Sequence, residues 1–188
     1  MTIAHTLNLG TVTWEPALQH PDLLGTAVNS RLHEWEAASP DLAAQVMVCA
    51  IDPEFSDTAA MSERYNIPMH DSVNCVLVAG KREGVERTAA VAVRADTRAD
   101  INGAIKKMLD VRKASFLPMD RAVAESGMEY GGITPVGLPA GWRFVVDASI
   151  NTDDWIVIGS GVRPSKIAIP GRVLVELAAA EVVEGLGL

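Results

Sequence analysis

The sequence predicts an α/β (α+β) fold, with a mixed, largely antiparallel sheet and helices around it. Short apolar runs of strand length recur along the chain, and stretches with helical periodicity fall between some of them. The two kinds do not alternate strictly, as a doubly wound parallel sheet would require. At 188 residues, 48% of them hydrophobic and 21% charged, the chain can bury a core without disulfide staples.

The elements follow in order. Residues 1–20 read as irregular. From Pro21, Leu23, Leu24, Ala27, Val28, Leu32 and Trp35 recur at helical steps until Ser39-Pro40 stops them. Residues 45–51 form an apolar run bounded by Asp52-Pro53, a strand by its length. A short helix is expected at 57–65, capped by Ser56 or Asp57. Residues 73–79 and 88–93 flank a polar turn and predict an antiparallel hairpin. Thr97-Arg98-Ala99-Asp100 carries a capping signature, predicting a helix over 98–109 with Ile101, Ala104, Ile105, Met108 and Leu109 on its apolar face. A strand at 114–117 and a helix from Pro118 to Gly127 come next, then a Gly- and Pro-rich loop at 129–139. Strands at 143–147, 155–159 and 166–169, a helix at 171–177 and an apolar segment at 182–183 complete the chain.

Charge and composition exclude several function classes. The net charge is −8, but residues 1–65 hold nine acidic and two basic side chains, whereas 66–188 hold fifteen and fourteen. The acidity is therefore N-terminal, and the remainder is neutral enough to present a local basic patch to phosphate. Cys49 and Cys75 belong to no CxxC pair and read as buried, reduced thiols of a cytoplasmic protein. His5, His20, His33 and His70 show no metal-ligand spacing, so no metal or cofactor is expected. No apolar run is long enough to span a membrane, and Met1–Gly10 lacks the pattern of a secretory leader. GxSxG and HExxH are absent, which disfavours covalent and metal-assisted hydrolysis.

Three features stand out as candidate chemistry. The loop from Gly131 to Leu138 has three glycines and a proline, which leave amides uncovered by side chains and able to bind phosphate or an oxyanion. Its other reading is a tight connection needing positive φ. Asn74 is a lone amide inside the apolar run 73–79, so either a structural partner satisfies it or it faces a pocket. Asp147 closes one strand and Gly159-Ser160-Gly161 closes the next; Asp147 either touches a ligand there or caps the turn through Ala148 and Ser149.

The block Ala122-Val123-Ala124-Glu125-Ser126-Gly127-Met128-Glu129-Tyr130-Gly131-Gly132-Ile133-Thr134-Pro135-Val136-Gly137-Leu138 resembles the YbaK and prolyl-tRNA-synthetase-associated editing-domain family, where a helix ending in Ser-Gly or Thr-Gly leads into a GxxxP loop. Val145-Val146-Asp147 resembles its strand ending in Asp, and Ser160-Gly161 its small-residue turn. The resemblance spans residues 46–188, leaving 1–45 as an N-terminal extension with one helix packed on the domain. It implies an aminoacyl-tRNA deacylase that hydrolyses the ester at the tRNA 3′ end without a metal, the terminal ribose hydroxyl helping to activate water. By the same resemblance Gly131 and Gly132 meet the ester carbonyl. Ile133, Thr134 and Pro135 line the amino-acid pocket, with Asn74, Asp147, Ser160 and Gly161 as further substrate contacts. The implied partners are the 3′ end of aminoacyl-tRNA and an aminoacyl-tRNA synthetase. The family's strand lysine is replaced here by Asn74, for which Lys81, Arg112 or Lys113 are candidate substitutes. The alternative is a non-catalytic binding module for charged tRNA or a synthetase.

Overall fold

A hairpin of two ten-residue strands organises the larger of two sheets in the computed structural model, which describes residues 7–188. Strands β3 (Val73–Arg82) and β4 (Val85–Arg94) pair antiparallel from Val73↔Arg94 to Arg82↔Val85. Only Glu83 and Gly84 turn between them, with φ of 53° and 81°, the handedness that matches strand twist. The strands therefore outrun the apolar segments predicted at 73–79 and 88–93, because exposed polar residues such as Lys81 and Glu86 also pair. The antiparallel β5 (Ala114–Phe116) joins the outer edge of β3, while β6 (Arg143–Asp147) and β9 (Glu181–Val183) extend the other side in parallel.

The second sheet has the order β1-β2-β8-β7 and is antiparallel throughout, from β1 (Glu15–Pro16), β2 (Met47–Ala50), β8 (Ser165–Pro170) and β7 (Trp155–Gly159). A bridge between Ser72 and Val157 joins the sheets at the start of β3. Strand alternation sorts the core. Val48, Ile156, Ile158, Ile167 and Ile169 share one buried cluster with Leu77, Ala90, Ala92 and Val146 of the larger sheet. Val78, Val91, Val93 and Val145 face the other way, under Ile105 and Leu109. Cys49, Val157 and Ala168 form a third cluster with Met61 of α3 (Thr58–Tyr65).

Residues before β2 belong to the first cluster. Helix α1 (Thr26–Ala38) inserts Val28, Leu32 and Trp35, and α2 (Pro40–Ala43) follows it. The helix starts later than Pro21 because Gly25 is extended and donates its N–H to Ser160 O at 2.9 Å. The predicted reading of Met1–Gly10 falls mostly on residues 1–6, outside the described residues.

The helix expected at 98–109 begins instead with a π turn at Ile101–Ile105 and runs on as α4 (Lys106–Leu109). Its cap is Asp100, whose carboxylate accepts from the Gly103 and Ala104 amides at 2.9 and 2.8 Å; Thr97 instead donates to Arg94 O. Two further helices, α5 (Met119–Ser126) and α6 (Gly171–Leu177), fall where their Pro and Gly boundaries predict. No helix among the described residues is long and apolar enough to cross a membrane.

Candidate functional site

Where β3 passes β7, the sheets leave a cavity of about 300 Å³. Its walls are the leader and first turn of α3 (Ser56, Asp57, Thr58, Met61), the start of β3 (Ser72–Val76), the loop residues Tyr130, Gly131 and Ile133, and the end of β7. One wall residue is a cation: Lys166 of β8. Alternation along β8 puts Ile167 and Ile169 in the cluster between the sheets and sends Lys166 to the opposite face, toward α3.

Lys166 is 5% exposed, and its Nζ donates to Ser56 O at 2.7 Å and Gly131 O at 3.0 Å. Burial pushes its pKa down to about 8; Asp57 and Cys49 pull it back up, and Arg163 adds to the depression. Arg163 makes a matching tie. Its guanidinium donates to Tyr130 O and Pro53 O, each at 3.0 Å, and its backbone N–H to Glu129 at 2.7 Å. Two cations thus stitch the glycine loop to the leader of α3.

These ties fix which loop amides remain available. Carbonyls of Tyr130 and Gly131 point at Arg163 and Lys166. A trans peptide turns its N–H opposite its C=O, so the Gly131 N–H points away from Arg163. The Gly132 amide is spent on Glu129 O at 2.9 Å, and its carbonyl accepts from Gly161 N at 2.7 Å. Of the amides from 131 to 133, those of Gly131 and Ile133 have no partner among the described residues, and both residues line the cavity. Gly131 holds φ of 84°, and a Cβ there would lie 2.8 Å from the Arg163 guanidinium.

Other polar atoms face the same space. Ser56 and Ser72 are each 1% exposed, line the cavity, and have hydroxyls without a partner among the described residues. Asn74 accepts from Thr58 Oγ1 at 2.8 Å, which leaves its amide nitrogen for a ligand. Cys75, half-buried rather than in the core, also lines the cavity; burial pushes its thiol up to about 12, which disfavours the thiolate.

The remaining predicted site residues lie outside the lining. Gly132 packs against the backbone of Val162, where a Cβ would come within 2.5 Å. Thr134 is fully buried, its N–H directed to the Met128 sulfur. Pro135 borders a separate cleft with Trp35 and Trp142. Ser160 bonds the Ser165 hydroxyl at 2.7 Å, and Gly161 is a strut under the loop. Asp147 takes the capping role: it accepts from Ser149 N and from the Leu186 and Gly187 amides, seating the C-terminal segment. Burial pushes its carboxyl up, but the hydrogen bonds from Ser149, Gly187 and Leu186 outweigh this and hold it below the ordinary value. Lys81, Arg112 and Lys113 lie away from the cavity, at the far end of β3.

Lys166 is the residue that sequence reasoning missed. It stands beside Ser165 at the start of the apolar run Ile167–Pro170, a position without the signal of Asn74, which is flanked by apolar residues on both sides. Among the described residues no three His, Cys, Asp or Glu side chains gather as a metal centre would need.

A family model described as the aminoacyl-tRNA editing domain matches residues 52–177. Among solved structures, the hypothetical protein APE2540 is similar at a TM-score of 0.70 and 21% identity, covering 82% of this chain and 97% of its own. A scaffold protein used for computational epitope grafting has a TM-score of 0.69 at 14% identity over 86% and 97% of the two chains. A candidate trans-editing enzyme for prolyl tRNA synthetase has a TM-score of 0.65 at 13% identity, over 82% and 95%. At these identities the likeness is one of fold. No curated protein sequence matches the chain.

Proposed function

Since the chain belongs to the aminoacyl-tRNA editing domain family, we propose that it is an aminoacyl-tRNA deacylase whose reacting centre is the cavity around Lys166. The observation that carries this reading is a buried ammonium beside two unspent loop amides, in a cavity large enough for an aminoacyl group. Hydrolysis joins a water oxygen to the ester carbonyl carbon and breaks the bond to the ribose oxygen, which leaves with a proton. Negative charge gathers on the carbonyl oxygen on the way. Preformed donors in a water-poor site stabilise that charge, by about 2.7–4 kcal/mol for one such donor.

Each wall residue then has a task. Lys166 makes the cavity electropositive and holds the loop, so that the Gly131 and Ile133 amides serve as the donors. Asp57 supplies a carboxylate at the rim for the free α-ammonium of the aminoacyl group. The Asn74 amide nitrogen is a neutral donor to the ribose or the ester. In this role Gly132 supports the loop rather than meeting the carbonyl.

The test is hydrolysis of a panel of mischarged tRNAs, with Lys166→Met alongside the parent. Ester hydrolysis by the parent and its loss in the variant are expected. Tight binding of charged tRNA with no turnover of any panel member would replace the deacylase reading with that of a binding module.

A further inference from the structure

Strand β3 carries a second concave site at its other end. A groove of about 320 Å³ is lined by Gly80 and Lys81 of β3, Glu86 opposite Lys81 on β4, Arg112 and Lys113 before β5, Phe116 of β5, and Arg121 of α5, four cations to one carboxylate. Arg121 is neutralised by Glu86 and Glu125. Lys81, Arg112 and Lys113 are exposed and have no ion-pair partner among the described residues. Beside them Phe116 is 55% exposed, on the edge strand of the sheet. In a chain of net charge −8, three unpaired cations with an exposed aromatic ring form an uncommon surface.

That combination has a chemical meaning. Cations spaced along a groove attract a polyphosphate backbone, and an exposed ring offers a face on which a base stacks. The place is informative too. Val76 lines the cavity and Lys81 the groove, five residues apart on one strand, or about 17 Å at the usual strand rise. That length equals about five stacked nucleotide steps. Between the sites Leu117 N bonds Leu77 O and Phe116 pairs with Val78, so the corner into α5 flanks the path.

We propose that the groove formed by Lys81, Arg112, Lys113 and Phe116 binds the single-stranded RNA end that carries the ester, holding its phosphates while the aminoacyl group enters the cavity. This rests on the deacylase reading for what the cavity does, but not for whether the groove binds RNA.

Uncharged tRNA binding is to be measured for the parent, Lys81→Ala/Arg112→Ala/Lys113→Ala and Phe116→Ala at several salt concentrations, with hydrolysis of aminoacyl-adenosine measured in parallel. All four positions are exposed, so the variants keep the fold. The triple variant is expected to lose about ten-fold or more in affinity at low salt and about two units of salt slope, from three phosphate contacts at ~0.7 each. Phe116→Ala is expected to lose affinity with the slope unchanged. Hydrolysis of aminoacyl-adenosine, too short to reach the groove, stays at the parent rate in both. A triple variant that binds tRNA with the parent's affinity and slope overturns the proposal. A parent that binds RNA through these residues yet hydrolyses neither aminoacyl-tRNA nor aminoacyl-adenosine upholds the groove and overturns the deacylase reading.

Discussion

Asn74 on β3 and Lys166 on β8 are polar residues near the starts of two otherwise largely apolar strands, and the fold treats them differently. Asn74 sits half-buried at the start of its strand with one hydrogen bond, from Thr58. Lys166 is almost fully buried and bonds two backbone carbonyls from segments more than seventy residues apart in sequence. A neutral amide needs only one partner to be tolerated at a cavity wall. A buried ammonium needs the surrounding chain arranged around it, so its burial reports a site built for charge. The strand that supplies the cation is thus β8, from the opposite side of the cavity to Asn74.

The largest effect expected is from Lys166→Met, a near-isosteric loss of charge. Turnover of mischarged tRNA should fall about 100- to 1000-fold, the range for losing one oxyanion donor, because the Gly131 and Ile133 amides lose the tie that positions them. Stability should change less, because unsatisfied carbonyls at Ser56 and Gly131 cost about 1–3 kcal/mol while an unfavourable buried charge is relieved. Single-turnover deacylation with a denaturant midpoint separates the two. A variant as active as the parent would erase the contrast between Lys166 and Asn74.

Next comes pH. With Lys166 titrating near 8, the parent's rate, corrected for spontaneous ester hydrolysis, should decline as pH rises through about 8, whereas Lys166→Met should lack that decline. The linkage for stability runs the other way. A folded pKa of about 8 below the ordinary 10.5 means the unfolded chain binds more protons in that interval, so this group adds stability as pH climbs from 8 to 10.5. Activity and stability should therefore diverge in the same window. Parallel curves would mean that the ammonium serves only the fold.

Asp57 offers a smaller and more selective change. Asp57→Asn should raise KM about 10-fold for a free aminoacyl ester, the scale of a charge-assisted hydrogen bond, and leave an N-acetylated ester unaffected. Equal losses on both esters would remove Asp57 from amine recognition. Asn74→Ala should cost about 2- to 12-fold in kcat/KM, the equivalent of one neutral hydrogen bond. Smallest is Asn74→Lys, because a second ammonium in the cavity repels Lys166 and cancels its own attraction for phosphate. In the Lys166→Met background the same substitution should restore part of the activity, a sign change that a purely structural role for Lys166 would not produce.

Much of the fold was legible because period and punctuation agree. The hairpin, the helix ending at Gly127 and the strands at 143–147 and 155–159 each combine an apolar pattern with a turn residue that only one geometry suits. The capping signature at Thr97 points to a helix start at 98, whereas Asp100 is the cap and the helix begins at Ile101. The site was legible in part. Asn74, Gly131 and Ile133 reach the cavity, but a glycine loop does not reveal which of its amides are already engaged, and Gly132 is. Asp147 carried two readings; Ser149 N gives it the local cap, and two further amide donors belong to the C-terminal segment, about forty residues away. Lys166 escaped because a strand lysine ordinarily extends to water. Its burial depends on α3 lying across that face, which is a tertiary fact.

The approach of α1 to the turn after β7 changes how this molecule can be divided. Gly25 donates to Ser160 O, the Ser165 hydroxyl reaches Leu23 O, and a Cβ at Gly137 would strike the backbone of Ala27. The segment matched by the editing-domain family begins at residue 52, after Leu23, Gly25 and Ala27. A protein cut at that boundary would keep every atom assigned a chemical task and lose the rear wall on which the strut at Gly161 and the far side of the glycine loop rest. Leu32, fully buried in α1, would leave a hole facing Ile158 and Ile169 in the same cluster. The minimal folding unit is consequently longer than the family signature, and its first helix, which lines no part of the cavity, supports the loop and strands that do.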